Sequence, residues 1–158
     1  MPNQGPPQGP NGAPPLTGTG PQADGTQVDQ RAVALLNDFL AALQRNSSDI
    51  DAAARAASPY LHKSLLRPGT PSDVNADLKN FSFKKAWQNA RFYANPVNIT
   101  RVRRNQVTAI GYGDTGEAGY VVDYFVGKLN PQAAMPAPVS VFFPNGGGAP
   151  RISYVGSL

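Results

Sequence analysis

Cysteine is absent from the 158-residue chain, which excludes a disulfide framework, a thiolate metal site and a cysteine nucleophile. Histidine occurs once, at His62, so a multi-histidine metal centre is excluded as well, and the carboxylates show no ligand spacing. No metal and no cofactor is expected. Charge is scarce: Lys, Arg, Asp and Glu make up 15% of the residues, against roughly a quarter in typical soluble domains, and Glu117 is the single glutamate. No apolar run approaches the roughly 18 residues that a membrane span requires, and the amino terminus has neither a basic n-region nor an apolar h-region. The chain as it stands is therefore expected to carry no transmembrane segment and no leader.

What is present divides into two parts. Half of residues 1–26 are Pro or Gly, and a stretch of that composition cannot build a core. It reads as a disordered tether, and "PPQGP" within it lacks the flanking basic residue that groove-binding polyproline ligands use. Extended at about 3.1 Å per residue, it reaches several tens of ångströms, which suits a spacer between an envelope anchor and a domain. With the low charge and the many amide and hydroxyl side chains, this points to an exported or envelope-anchored protein whose leader has been removed, the alternative being a cytoplasmic one. Residues 27–158 then form a single domain, and about 130 residues suffice to bury a self-supporting core.

Within that domain helices precede strands. Val28, Ala32, Leu35, Leu36, Phe39, Leu40 and Leu43 make an amphipathic helical stripe, with Thr26 and Asp29 as a capping box. Ser48 predicts a cap for a second helix over "DIDAAARAA", and "SP" at Ser58 and Pro59 a third start before "YLHKSLL". "RPGTPSD" breaks the chain, and a further helix is predicted within 82–93, capped by Ser82. After Pro96 the period becomes two. Strands are predicted at "VNITRVRR", "QVTAIGY", "GYVVDYFVGKL", "VSVFF" and "RISYVG", joined by short connections into an antiparallel meander whose third strand is apolar on both faces. The class is α+β, with amino-terminal helices packed on a curved antiparallel sheet of about five strands.

This order of elements, with a short helix ending in "SPYLHKSL" and a last strand in "RISYVGSL", resembles the nuclear transport factor 2-like superfamily, which includes ketosteroid isomerases and polyketide cyclases. The resemblance covers about residues 28–158 and rests on element order. It implies a cone-shaped fold with a pocket at its wide end, and it includes enzymes, transport receptors and plain binding domains, so it selects no function.

Chemistry-bearing residues are few. Asp123, set between Val122 and Tyr124 in the most apolar strand, is a candidate catalytic base if it faces a cavity, with Tyr124 as the phenol; this is how isomerases of that superfamily move a proton. A simpler role for Asp123 is pairing with Arg101 or Arg103. His62 beside Tyr60 is a third candidate, at a pocket mouth or as a hydrogen-bonded surface histidine. Tyr60, Trp87, Tyr112 and Tyr120 are the pocket-lining candidates. "GYGDTG" matches a dinucleotide fingerprint, but a strand follows where that fingerprint needs a helix, so it reads as a hairpin loop.

The segment from Lys79 to Arg104 holds half of all Lys and Arg: Lys79, Lys84, Lys85, Arg91, Arg101, Arg103 and Arg104. Single-strand binding needs rings and cations on one surface, whereas helical spacing turns Phe83 and Trp87 inward and the lysines outward. That argues against nucleic acid and leaves a basic face for an acidic partner or anionic headgroups. Three functional readings follow: a non-catalytic binding or assembly domain engaging a protein partner or a small apolar ligand; an isomerase-like enzyme; and a nucleic-acid binder. The first is preferred because no catalytic constellation is evident. A homodimer through an open sheet face is compatible with the doubly apolar third strand.

Overall fold

The structure is a computed structural model and describes residues 26–110, 116–130, 132 and 135–158. The tether, the "GYGDTG" loop up to Thr115 and Tyr112 therefore lie outside the described residues.

Helix α1 spans Gln30–Arg45 and buries Ala32, Leu35, Leu36, Phe39, Leu40 and Leu43, the expected stripe. Its cap is Asp29, whose carboxylate accepts the Arg31 N–H at 2.8 Å, rather than Thr26. Helix α2, Ile50–Ala57, is capped by Asp49, one residue after the serine expected. The stretch "YLHKSLL" is no α-helix. Ser58–Tyr60 and Lys63–Leu65 are single 3-10 turns, and between them Leu61 pairs in parallel with Ile152 while the His62 N–H donates to the Ile152 carbonyl at 2.7 Å. Pairing with the sheet edge outweighs local helix propensity here.

The break at "RPGTPSD" is a small hairpin, β1 (Leu66–Arg67) with β2 (Thr70–Val74), turned at Gly69, whose φ of 77° favours glycine. Helix α3 (Ala76–Asn80) precedes α4 (Ser82–Asn89), and a 3-10 turn over Ala90–Phe92 closes the helical half. Ser82 is the first helical residue rather than the cap.

The remaining strands are β3 (Ile99–Arg104), β4 (Ala109–Ile110), β5 (Glu117–Val126), β6 (Ala137–Pro144) and β7 (Arg151–Tyr154). They form one antiparallel five-stranded sheet in the order β3, β5, β6, β7, with β4 on β5. Strands β3 and β4 are not a hairpin. Val102 faces Tyr124 and Ala109 faces Ala118, so both lie end to end along one edge of β5, separated by residues 105–108.

Side chains alternate across β5. Val122, Tyr124 and Val126, with Val139, Val141, Phe143 and Ile152 of the neighbouring strands, join the helices in one core. Val121, Asp123 and Phe142 are buried on the other face and stand outside that core. The architecture is thus α+β, with helices on one face of the sheet.

Candidate functional site

Asp123 leaves β5 on the face away from the helices. Its carboxylate accepts from Arg103 Nη2 at 2.7 Å, from Ser140 Oγ at 2.7 Å and, at 3.4 Å, from Asn105 Nδ2. The register explains this set, since Asp123 lies opposite Arg103 on one side and Ser140 on the other. An acid with its lone pairs already engaged is a hub of the sheet. Tyr124 points to the opposite face, into the core, so the structure does not bring together the acid and the phenol of an isomerase-like pair. The open cleft beside Asp123 is lined by Val107, Ile110, Pro138 and Tyr154 besides its polar partners.

His62 is buried rather than at the surface, packed edge-on against Phe142 at 5.0 Å between ring centroids. Its Nδ1 accepts the Ser64 backbone N–H at 3.1 Å and lies 2.9 Å from Ser64 Oγ; its Nε2 lies 2.9 Å from Glu117 Oε1. Serine, histidine and glutamate in hydrogen-bond series suggest a nucleophile with its base. The backbone N–H, however, holds the Nδ1 lone pair in capping the 3-10 turn. The constellation is a clasp between that turn and the start of β5, which explains why nucleophile spacing in the sequence was silent about it.

The third place is a cleft of about 350 Å³ where the residues before α1 meet the sheet, lined by Gln27, Asp29, Arg104, Tyr120, Tyr124 and Phe143 among others. Tyr120 and Phe143 are direct partners on β5 and β6, and their rings stack at 5.0 Å and 10°. Arg104 on β3 lays its guanidinium 4.1 Å from the Tyr120 centroid, and Arg31 of α1 lies 5.6 Å from that of Phe143. Two stacked rings are therefore each met by a guanidinium. The Tyr124 hydroxyl accepts the Asp29 N–H at 3.4 Å, and burial pushes its ionisation well above the usual phenol range, so it remains a donor at neutral pH. The Arg31 side chain bonded to Asp29 at 2.9 Å holds that carboxyl below its usual range.

Of the expected pocket residues, Tyr120 lines this cleft. Trp87 instead packs against the core and donates its indole N–H to the Asn46 carbonyl at 2.8 Å, and Tyr60 packs on the core beside α2. Arg104, Phe143, Asp29 and Arg31 were legible only as a cation, a strand residue and a helix start. The basic residues divide: Lys84, Lys85 and Arg91 are exposed on α4 and the turn after it, while the other four part. Lys79 bonds Asp73 and Asp51 at 2.8 and 3.1 Å, Arg101 lies 4.0 Å over Phe125, Arg103 holds Asp123, and Arg104 faces the other side of the sheet. Among the described residues no group of three or more His, Cys, Asp or Glu gathers as for a metal, and no helix is long and apolar enough to cross a membrane. No protein-family model, curated protein or solved structure matches the chain.

Proposed function

We propose that the chain is a non-catalytic binding domain of the nuclear transport factor 2-like kind, presented on its Pro/Gly-rich amino-terminal segment in an exported or envelope-associated protein. Its ligand is a small apolar molecule with an anionic end, held in the cleft between the start of α1 and the sheet. The row Arg104, Tyr120 and Phe143 carries this reading. The Tyr120 and Phe143 rings with the Arg104 guanidinium in the cleft suit an aromatic or aliphatic body with a carboxylate or sulfonate, and the Tyr124 hydroxyl adds a donor beneath. The composition of residues 1–26 supports the placement.

Anilinonaphthalene sulfonate, a planar apolar body with one anionic group, is a suitable probe. Its fluorescence is expected to rise on binding the full chain, and Tyr120→Ala to weaken that binding by about tenfold, the equivalent of about 1.4 kcal/mol for one lost aromatic wall. Arg104→Gln is expected to act in the same direction. Unchanged affinity in Tyr120→Ala, with circular dichroism confirming its fold, would remove the cleft as the binding site.

A further inference from the structure

At the other end of α1, where Gln44 Nε2 donates to the Ala90 and Tyr93 carbonyls at 3.0 and 3.1 Å, three chain segments meet in a loop-built tip. The Leu129 N–H donates to the Phe92 carbonyl at 2.8 Å, and Lys128 Nζ donates to the Met135 carbonyl at 3.1 Å. The first bond sets Phe92 beside Leu129, and the second brings Met135 to the same end of the sheet. All three are solvent-exposed, at 44%, 64% and 83%. Apolar side chains normally turn inward, and here three stand exposed at one end of the molecule.

Cations accompany them. The Arg91 guanidinium lies 4.9 Å from the Phe92 ring centroid, and the Lys128 ammonium lies 5.2 Å from that of Tyr93. Arg101 stands on the adjoining end of β3, opposite Phe125. No acid occurs between Asp77 and Asp114, or anywhere after Asp123, so the segments that form the tip are free of negative charge.

We infer that this tip docks on an anionic lipid surface, inserting Phe92, Leu129 and Met135 among the acyl chains at headgroup depth while Arg91, Lys128 and Arg101 meet the phosphates. An apolar partner patch alone would not need the surrounding cations, and a polyanion alone would not need three exposed apolar side chains; an anionic bilayer uses both. Three side chains with a few cations give reversible adsorption rather than permanent anchoring, which takes two signals of this kind acting together. Docked this way, the cleft at the opposite end of α1 faces away from the membrane.

Co-sedimentation of the full chain with vesicles tests it. The protein is expected to pellet with phosphatidylcholine mixed with phosphatidylglycerol and to stay in solution with phosphatidylcholine alone. Leu129→Asp combined with Met135→Asp, both fully tolerable at exposed positions, is expected to lower the partition constant by about a hundredfold, roughly tenfold for each anchor lost. Arg91→Gln should lower it less and reduce its salt dependence. The inference is overturned if the wild type stays in solution with both compositions, or if the double variant pellets as well as the wild type, which would assign binding to diffuse basic charge. Sedimentation velocity gives the remaining outcome: a dimer broken by the double variant, without vesicle binding, would hand the tip to a second copy of the chain and overturn a lipid role.

Discussion

Gly119 shows how tightly one position of β5 is specified. A β-carbon there would stand 2.3 Å from the Phe143 carbonyl oxygen and 2.6 Å from the Phe142 ring, which lies across the glycine on the face away from the helices. The carbonyl is backbone and cannot swing aside, so the β5 and β6 pair must separate locally. Gly119→Ala is therefore expected to destabilise by about 2–3 kcal/mol, the upper range for overpacking a well-filled site. Gly146, with nothing within 4 Å of its would-be β-carbon, is the control, and Gly146→Ala should change stability by no more than about 0.5 kcal/mol. Urea unfolding followed by Trp87 fluorescence reads both. Equal midpoints for the two variants would mean that the strands shift freely at Gly119. Asp123 makes a related point: a carboxylate in an apolar strand allows either a catalytic base or pairing with Arg101 or Arg103, and its register neighbours Arg103 and Ser140 make it a cross-strand tie.

At the scale of elements, Lys79 of α3 is the clamp of the helical half. Its ammonium bonds Asp73 of β2 at 2.8 Å and Asp51 of α2 at 3.1 Å, and Arg67 of β1 reaches Asp73 at 3.5 Å. The Lys79 hydrogen bond is the main reason the Asp73 carboxyl is held below its usual range, and the carboxylates in turn raise Lys79. A depressed carboxyl contributes stability that is present above its unfolded value, about 3.9, and is lost as pH falls through the lower folded value. Asp73→Asn should thus cost about 1 kcal/mol near neutrality. The gap between wild type and variant should then begin to narrow below about pH 4 and vanish only once the pH has fallen through the lower folded value, where the folded carboxyl is itself protonated. A gap in melting temperature that persists in acid would show that the side chain acts through packing.

The same scale explains what could be read from the residues alone. The α1 stripe and the strands of the second half were legible because an apolar period of 3.6 runs over Leu35 to Leu43 and a long β-branched and aromatic run over Tyr120 to Val126. The β1 and β2 hairpin was not, because strands this short, with Pro71 inside one of them, have no period to show. The stretch around His62 was misread as helical because the bond from its N–H to Ile152 joins residues 90 apart in sequence. The cleft was half-legible. Tyr120 could be singled out by type, but only the pairing of β3, β5 and β6 sets Arg104, Tyr120 and Phe143 in a row, and the capping of α1 brings Arg31 to Phe143.

For the molecule as a whole, the formal charge of +4 describes partners less well than the placement of the cations does. Half of all Lys and Arg lie between Lys79 and Arg104, yet successive residues of β3 point to opposite faces of the sheet. Arg101 and Arg103 share the face of Phe125 and Asp123, and Arg104 stands at the ligand cleft with Tyr120. Lys79 is turned into the clamp between α2 and β2. No continuous track remains along which a single strand could place successive phosphates. Arg103 and Lys79 would also have to leave carboxylates to release counterions. Five phosphates neutralised at once would make the affinity for an unstructured oligonucleotide fall with log salt at a slope of roughly −3.5, at about −0.7 per contact. With cations on separate surfaces, no more than about three contacts can form together, so a slope no steeper than about −2.1 is expected, with binding lost near physiological salt. Fluorescence anisotropy of a labelled oligothymidylate across a salt series measures it. A slope near −3.5 would require the cations of both sheet faces to act on one strand, and with it a wrapping path around the edge of β3 that would make the chain a nucleic-acid protein after all.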